Sequence, residues 1–381
     1  MNIFYASEHK YRIQWNSRLW YYNHYLPLKD LGHRLIPFDY NITPHRQRAD
    51  PTNPKHLPFI EKNRGRLEEE LLKQVKEAHR KYGINVFFSY FWAALCQPAV
   101  IEEIKALGII TINWFCNAAH QFHLVRDLAP AFDYCLVPEK FRIKDYEKIG
   151  AKPIYFPEAA NPSIYKPYNL SRQHDVTFVG QRYGDRWDTI AYLHQNNIPV
   201  HVWGDGWRPA TYLVKMFNYS PVYLAKMAFQ KGRHLISNGS KDKNSIPKKF
   251  RHGVLSDEEY VKMYSRSIIS LGFSACGDTH REKERILQVR LRDIEAPMSG
   301  AFYMVEYMEE LEEHFEIGRE IVCFKNKEDL TDKIKYYLAN DNAREKIRQA
   351  GYKRALADHT CQERFRKLFL KIGKDTGNKW S

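Results

Sequence analysis

The densest run of side chains able to do chemistry lies between Ser274 and Glu306. It opens just past an apolar stretch, 268–273, that reads as a strand. It continues as Ser274-Ala-Cys-Gly-Asp-Thr-His-Arg-Glu-Lys-Glu-Arg285 and then as Gln288-Val-Arg290-Leu-Arg292-Asp-Ile-Glu295-Ala-Pro-Met-Ser-Gly300. Arg290 and Arg292 fall where a helix is expected to begin. The free N–H groups and positive dipole end of a helix N-terminus suit a phosphate, and arginine adds forked donors for its oxygens. Glu295 lies about one turn further in, where a carboxylate beside a nucleotide accepts hydrogen bonds from ribose hydroxyls. Taken alone, the same residues also fit a salt-bridged helix surface.

The surrounding elements give these residues a frame. In the first half, strand signals at 2–6, 35–38, 86–90, 109–115, 134–137 and 154–156 alternate with helical spacing at 20–32, 64–82 and 98–107. Gly32 and Gly83 stand as helix stops. The rhythm then restarts, with strands at 175–179, 200–203, 268–273, 301–305 and 321–324. The helices between and after them fall at 185–196, 257–266, 291–299 and 327–338, and 309–315 continues the alternation. Ser256 precedes an acidic first turn, as an N-cap should. Alternating β and α signals imply parallel sheets covered by helices on both faces. The fold class is α/β, with two Rossmann-like, doubly wound units. Asn161-Pro162 and Lys166-Pro167 break regular structure between them. The expected domains are 1–160, 168–355 with a basic insertion at 209–251, and a returning helix at 356–381. Sheets of this kind bind ligands at the carboxyl ends of their strands. Ser274, and the loop Gly180-Gln-Arg182-Tyr-Gly-Asp-Arg186, both occupy such ends.

The formal charge of +14 over 381 residues bears on partners rather than on fold. The insertion carries Lys215, Lys226, Lys231, Arg233, Lys248 and Arg251 interleaved with Tyr212, Phe217, Tyr223 and Phe229. A basic, aromatic, amphipathic stretch suits an anionic membrane surface or a lipid-linked acceptor; the plainer reading is a surface insertion with a solvated basic face. Nucleic acid is disfavoured, because no nucleic-acid module accompanies the charge. The six cysteines, Cys96, Cys116, Cys135, Cys276, Cys323 and Cys361, lack the short spacings of zinc or redox motifs. No apolar run approaches the roughly 18 residues of a membrane helix, and the start lacks the pattern of a signal peptide. A cytoplasmic protein is expected, peripheral on the inner face of the membrane if the insertion binds lipid.

The segment Arg292-Asp-Ile-Glu295-Ala-Pro297-Met-Ser-Gly300-Ala-Phe-Tyr-Met-Val-Glu306-Tyr307 resembles the C-terminal domain of the CgeB-like glycosyltransferases. So do Tyr264-Ser-Arg-Ser-Ile-Ile-Ser-Leu-Gly-Phe-Ser274, Trp20-Tyr-Tyr-Asn-His-Tyr-Leu-Pro-Leu-Lys-Asp-Leu-Gly-His33 and Asn113-Trp-Phe-Cys-Asn117-Ala-Ala-His120-Gln-Phe122. The resemblance implies a GT-B enzyme, two Rossmann-like domains facing a cleft with C-terminal helices crossing back. It would move a sugar from a nucleotide sugar, a UDP- or GDP-sugar, to a glycan, lipid-linked or protein acceptor. It makes Glu295 the second, ribose-binding glutamate of the E-x7-E motif of related retaining enzymes. Leu287 stands in place of the first, which leaves Glu306 as a substitute contact to the donor sugar. It places Arg182 and Arg186 on the diphosphate, and Gly253 and Val254, after His252, against the nucleobase.

The chemistry that follows from this resemblance needs charge stabilisation on a departing nucleoside diphosphate. No Asp-x-Asp occurs in a strand-end loop, and Asp205 and Asp278 stand alone. No metal is therefore expected, with arginines and a helix N-terminus in its place. An inverting reaction needs a base for the acceptor. His120, past the strand 109–115, is the candidate, with Glu8 and His9 behind it; Asn117 stands where relatives commonly carry aspartate. The alternative is a GT-B-fold binding or structural protein of a surface layer or spore, with a decayed site.

Overall fold

The computed structural model describes residues 1–9, 18–46, 50–208, 245–276 and 285–377. Most of the expected basic insertion, 209–244, lies outside the described residues.

The first sheet holds β1 (Asn2–Ala6), β2 (Arg34–Pro37), β3 (Val86–Ser89), β4 (Ile110–Trp114), β5 (Tyr134–Val137) and β6 (Pro153–Tyr155). Every pairing is parallel, in the order β2-β1-β3-β4-β5-β6. Its helices are α1 (Leu26–Asp30), which continues a wider turn at Tyr21–Tyr25, α2 (Thr43–Arg46), α3 (Leu57–Tyr82), α4 (Pro98–Ala106), α5 (Ala118–Val125) and α6 (Lys140–Lys148). β1 and β3 carry Ile3, Phe4, Tyr5, Val86, Phe87 and Phe88, all fully buried. Near-continuous apolar runs of this kind mark strands covered on both faces.

The second sheet repeats the plan with β7 (His174–Val179), β8 (Val200–Trp203), β9 (Ser267–Gly272), β10 (Tyr303–Glu306) and β11 (Val322–Phe324), in the order β11-β10-β9-β7-β8. Around it lie α7 (Arg186–Gln195), α8 (Asp257–Arg266), α9 (Leu291–Met298), α10 (Lys327–Ala339) and α11 (Asp341–Asp358). The Ser256 side chain caps α8 by accepting from the Glu259 amide at 3.3 Å.

The last helix, α12 (Cys361–Thr376), leaves the second unit and packs on the first. Phe365 meets the rings of His24 and Phe88 at 5.6 and 6.0 Å, and Phe369 meets His33 at 5.1 Å. Phe365, Leu368, Phe369 and Ile372 are buried, each contributing roughly 1.5–3 kcal/mol of hydrophobic stabilisation. At the crossing, the Ala160 amide donates to the His359 carbonyl at 3.0 Å and the Cys361 amide donates to the Ala160 carbonyl at 3.1 Å.

Some elements depart from the expectation. Helix α3 begins at Leu57 rather than 64, with Pro58 in its first turn and Ile60 buried; proline there gives up no hydrogen bond. Helices α5 and α6 carried no clear signal. The first is short and kinked at Gln121, and the second buries only Tyr146 along its length, so neither shows a helical apolar stripe. The stretch expected at 309–315 is a 3-10 turn over Glu309–Glu313, where four glutamates in five residues repel one another.

Candidate functional site

Both sheets share one feature. β1 and β3, and likewise β7 and β9, are adjacent strands whose connections leave in opposite directions. Such a switch point opens a crevice at the carboxyl ends of the strands. In the second unit the loops flanking it are 180–185, after β7, and 273–276, after β9.

Gly180 opens the first of these loops. A Cβ there would stand 2.7 Å from the Phe178 ring and 3.2 Å from Nη2 of Arg292. Glycine therefore lets the guanidinium from the first turn of α9 come close to the backbone after β7. Gly204, at the end of β8 with φ +137°, lies against the same peptide: a Cβ there would meet the Gly180 carbonyl oxygen at 2.2 Å. The Trp207 indole also donates to that carbonyl, at 2.6 Å.

Arg186 is buried and committed to the loop itself. It donates to the Gln181 carbonyl at 2.9 Å and to the Tyr183 hydroxyl at 2.7 Å, and lies 3.7 Å over the Tyr183 ring. Burial, with Arg290 and Arg292 nearby, holds its guanidinium below its ordinary value, Tyr183 opposing. Arg182 is exposed, 4.0 Å over the Trp187 ring. Its amide donates to the Asp205 carbonyl at 2.9 Å.

Arg290 is the N-cap of α9. Asp293 accepts from the Arg290 amide at 2.8 Å and from the Tyr303 hydroxyl at 2.6 Å. The Arg290 guanidinium donates to the Ala275 carbonyl, tying α9 to the loop after β9. Glu295 is 3% exposed and accepts from the Tyr260 hydroxyl of α8 at 2.8 Å. Burial raises its carboxyl above the ordinary carboxylate range, with Tyr165, Tyr260 and Arg292 opposing. Tyr165 belongs to the segment joining the units, so Glu295 sits where they meet.

Glu306 ends β10 with both carboxylate oxygens occupied. Arg285 grips it through Nη1 and Nη2, and the Ser274 amide donates to Oε2 at 3.1 Å. The Ser274 hydroxyl donates to the Glu306 carbonyl at 2.9 Å. Arg285 also reaches Asp185 at 3.0 Å, closing a bridge from the end of β10 to the start of α7. Leu287 forms an isolated bridge with Ala275. His252 stacks on Trp203 at 4.4 Å. The Gly253 carbonyl accepts from the Gly204 amide at 3.2 Å, and Val254 is 67% exposed beside them.

The facing side is the crevice of the first unit. His120 lies in α5, half-buried, one turn past Cys116. Glu8 and His9 are buried, and the Trp20 amide donates to Glu8 at 3.0 Å. Glu158, past β6, is buried next to both units. Burial, then the Glu295 charge, push its carboxyl up to about 8, against Arg364. Among the described residues, no group of three or more His, Cys, Asp or Glu side chains could hold a metal ion.

The structure thus gathers Gly180, Arg186, Ser274, Arg290, Arg292 and Glu306 around one switch point, with Arg182, Gly253 and Val254 at its rim and Glu295 where the units join. His120 stands on the other unit. Sequence reasoning did not reach the roles of Arg285, Tyr260, Tyr165 and Glu158. Arg285 had no separate signal within its run of charges, and the tyrosines act through contacts distant in sequence.

Residues 186–369 match a family described as glycosyl transferase-like. No curated protein sequence matches the chain. Solved structures do. The sucrose-phosphate synthase of Thermosynechococcus elongatus superposes with a TM-score of 0.59 at 12% identity, over 98% of this chain and 99% of that one. Anabaena Alr3699/HepE, solved with UDP-glucose, gives 0.59 at 10% identity, over 98% and 100%. A glycosyltransferase from Rickettsia africae gives 0.58 at 13%, over 100% and 99%. No helix among the described residues is long and apolar enough to cross a membrane. The chain has the GT-B fold of glycosyltransferases, and the second of its two units carries the glycosyl transferase-like family's sequence pattern.

Proposed function

We propose that the protein transfers a sugar from a nucleotide-sugar donor held on the second unit to a hydroxyl acceptor held on the first. The observation that carries this reading is the approach of Arg292, from the first turn of α9, to the Gly180 backbone, with Arg290 at the same helix start tied to the loop after β9. Fixed cations and a helix N-terminus at a bare backbone turn suit a diphosphate. They also stabilise the charge that develops on the departing nucleoside diphosphate, since they are oriented before reaction. Anabaena Alr3699/HepE, with the same fold, was solved with UDP and with UDP-glucose, which favours a UDP-sugar as the first donor to try.

In this reading Glu295 holds the ribose, Gly253 and Val254 border the base, and Ser274 and Glu306 flank the donor sugar. Arg186 shapes the phosphate loop from within. The acceptor is a glycan or a lipid-linked sugar, and the stretch 209–251 would bring the enzyme to an anionic membrane surface. The arginines and the α9 dipole do the work a metal does elsewhere. The test is release of UDP from UDP-glucose, UDP-galactose and UDP-N-acetylglucosamine, with and without EDTA. Release that EDTA leaves unchanged supports the proposal. UDP binding without release from any donor would favour a binding protein on this fold.

A further inference from the structure

One buried carboxyl on the side of the first unit that meets the second has no hydrogen-bond partner among the other described residues. Glu139 lies two residues past β5, at the N-cap of α6, among the strand-end loops of the first unit. It is 1% exposed, and neither oxygen accepts a hydrogen bond from any other described residue. Leaving such a group unsatisfied costs free energy, and a native structure that keeps one calls for an explanation.

Its neighbours are already paired elsewhere. Arg142, whose charge acts on Glu139, donates to the Ala118 carbonyl at 3.1 Å and to Asp145 at 2.8 Å. Glu310, from the second unit, accepts from the Tyr155 hydroxyl at 2.8 Å. Lys140 is paired with Glu313. Among the described residues Glu139 therefore belongs to no ion pair, and its side chain does not cap its own helix. The groups that feel its charge are Glu158, Glu310 and Arg142, together with Cys116 past β4, Tyr146 of α6 and Cys276 past β9. Cys276 adjoins Ala275, the residue that holds the Arg290 guanidinium. The Lys140 amide donates to Glu310 at 3.4 Å and Arg142 to the Ala118 carbonyl, so Glu139 stands where the start of α6 meets the second unit and the segment after β4.

We propose that Glu139 takes the proton of the attacking acceptor hydroxyl. In this step the acceptor O–H proton passes to the Glu139 carboxylate while the acceptor oxygen forms its bond to the anomeric carbon. The bond from that carbon to the diphosphate oxygen breaks, and its electron pair leaves on the nucleoside diphosphate. An acceptor hydroxyl would supply the hydrogen bond that the carboxyl lacks, which fits a neutral sugar or polyol. Burial, then Glu158 and Glu310, push the carboxyl well above the ordinary carboxylate range, opposed by its own backbone amide and by Arg142. A base is most effective when its pKa lies near the working pH. The role rests on the donor reading above.

The test compares the wild type with Glu139→Gln and Glu139→Asp. UDP affinity is measured by calorimetry, and turnover by UDP release from the three UDP-sugars named above with glucose or glycerol as acceptor. Glu139→Gln is expected to bind UDP within about twofold of the wild type and to lose at least about 100-fold in kcat. Glu139→Asp is expected to recover part of that rate. The acid limb of the wild-type pH profile should lie above the ordinary carboxylate range and disappear in Glu139→Gln. A Glu139→Gln enzyme within a few-fold of wild-type kcat, or with the same acid limb, overturns the role. So does a wild type that binds UDP and turns over none of the donors. A wild type that fails to bind UDP refutes the donor reading itself.

Discussion

Arg292 and Gly180 are in contact across the second sheet's switch point: a single added carbon on Gly180 would stand 3.2 Å from Nη2 of the guanidinium and 2.7 Å from the Phe178 ring. Phe178 is fully buried and cannot yield cheaply, so the Arg292 side chain is the neighbour that must move. Gly180→Ala is therefore expected to push Arg292 out of place. Overpacking of this kind costs about 1–3 kcal/mol. UDP affinity should fall about tenfold or more, measured by calorimetry beside a thermal melt.

Gly204 makes a harsher case. A Cβ at this position would meet the Gly180 carbonyl oxygen at 2.2 Å, and φ is +137°. The clash is with backbone, and the conformation itself disfavours a side chain. Gly204→Ala is expected to lower stability by about 2 kcal/mol or more and to weaken UDP binding by moving the 180–185 loop. A melt within a degree of the wild type would show that the loop adapts.

Arg285 and Glu306 should be energetically coupled. The guanidinium spans both carboxylate oxygens and also reaches Asp185, but it is 37% exposed, so solvent screens the pair. A double-mutant cycle of Arg285→Ala and Glu306→Gln is expected to give a coupling of about 1 kcal/mol. Additive effects would mean that the grip contributes no net energy.

Glu158 gives a pH dependence with a definite sign. Its folded carboxyl titrates near 8, raised by burial and by Glu295, whereas an unfolded glutamate titrates near 4.3. The folded state binds the extra proton, so stability is highest at low pH and is lost as pH rises towards 8. Buried histidines, His45 among them, oppose this lower down. His24 and His314 titrate near 3, and His33 and His359 near 4, so their contribution grows between about pH 4 and 6.5. Between pH 6.5 and 8 they are silent. In that window the wild type should lose on the order of 1–2 kcal/mol relative to Glu158→Gln, read as the difference between their denaturant midpoints. Parallel curves would place the Glu158 carboxyl in water.

Much of this architecture is legible in the sequence where one residue reports on its own environment. Runs such as Val86-Phe-Phe-Ser89 announce buried strands, and Ser256 and Gly83 mark helix ends without reference to any distant partner. The Arg290–Glu295 cluster is legible because position at a helix start already implies a dipole and free amides. The remainder depends on contacts made in three dimensions. Glu139 and Glu158 look like ordinary polar residues until β5 and β6 bring them under the second unit. Tyr165 and Tyr260 matter only because they meet at Glu295. Helix α6 is missed for a related reason: one buried side chain, Tyr146, leaves no stripe for periodicity to detect.

The most direct measurement is the UDP affinity of the wild type and of Arg292→Ala, with Lys76→Ala, an exposed residue of α3 in the first unit, as a control. A donor site at the β7–β9 switch point predicts that the wild type and Lys76→Ala bind UDP alike, while Arg292→Ala binds at least about tenfold more weakly through loss of a charge-assisted contact. Equal affinity in all three proteins would contradict it.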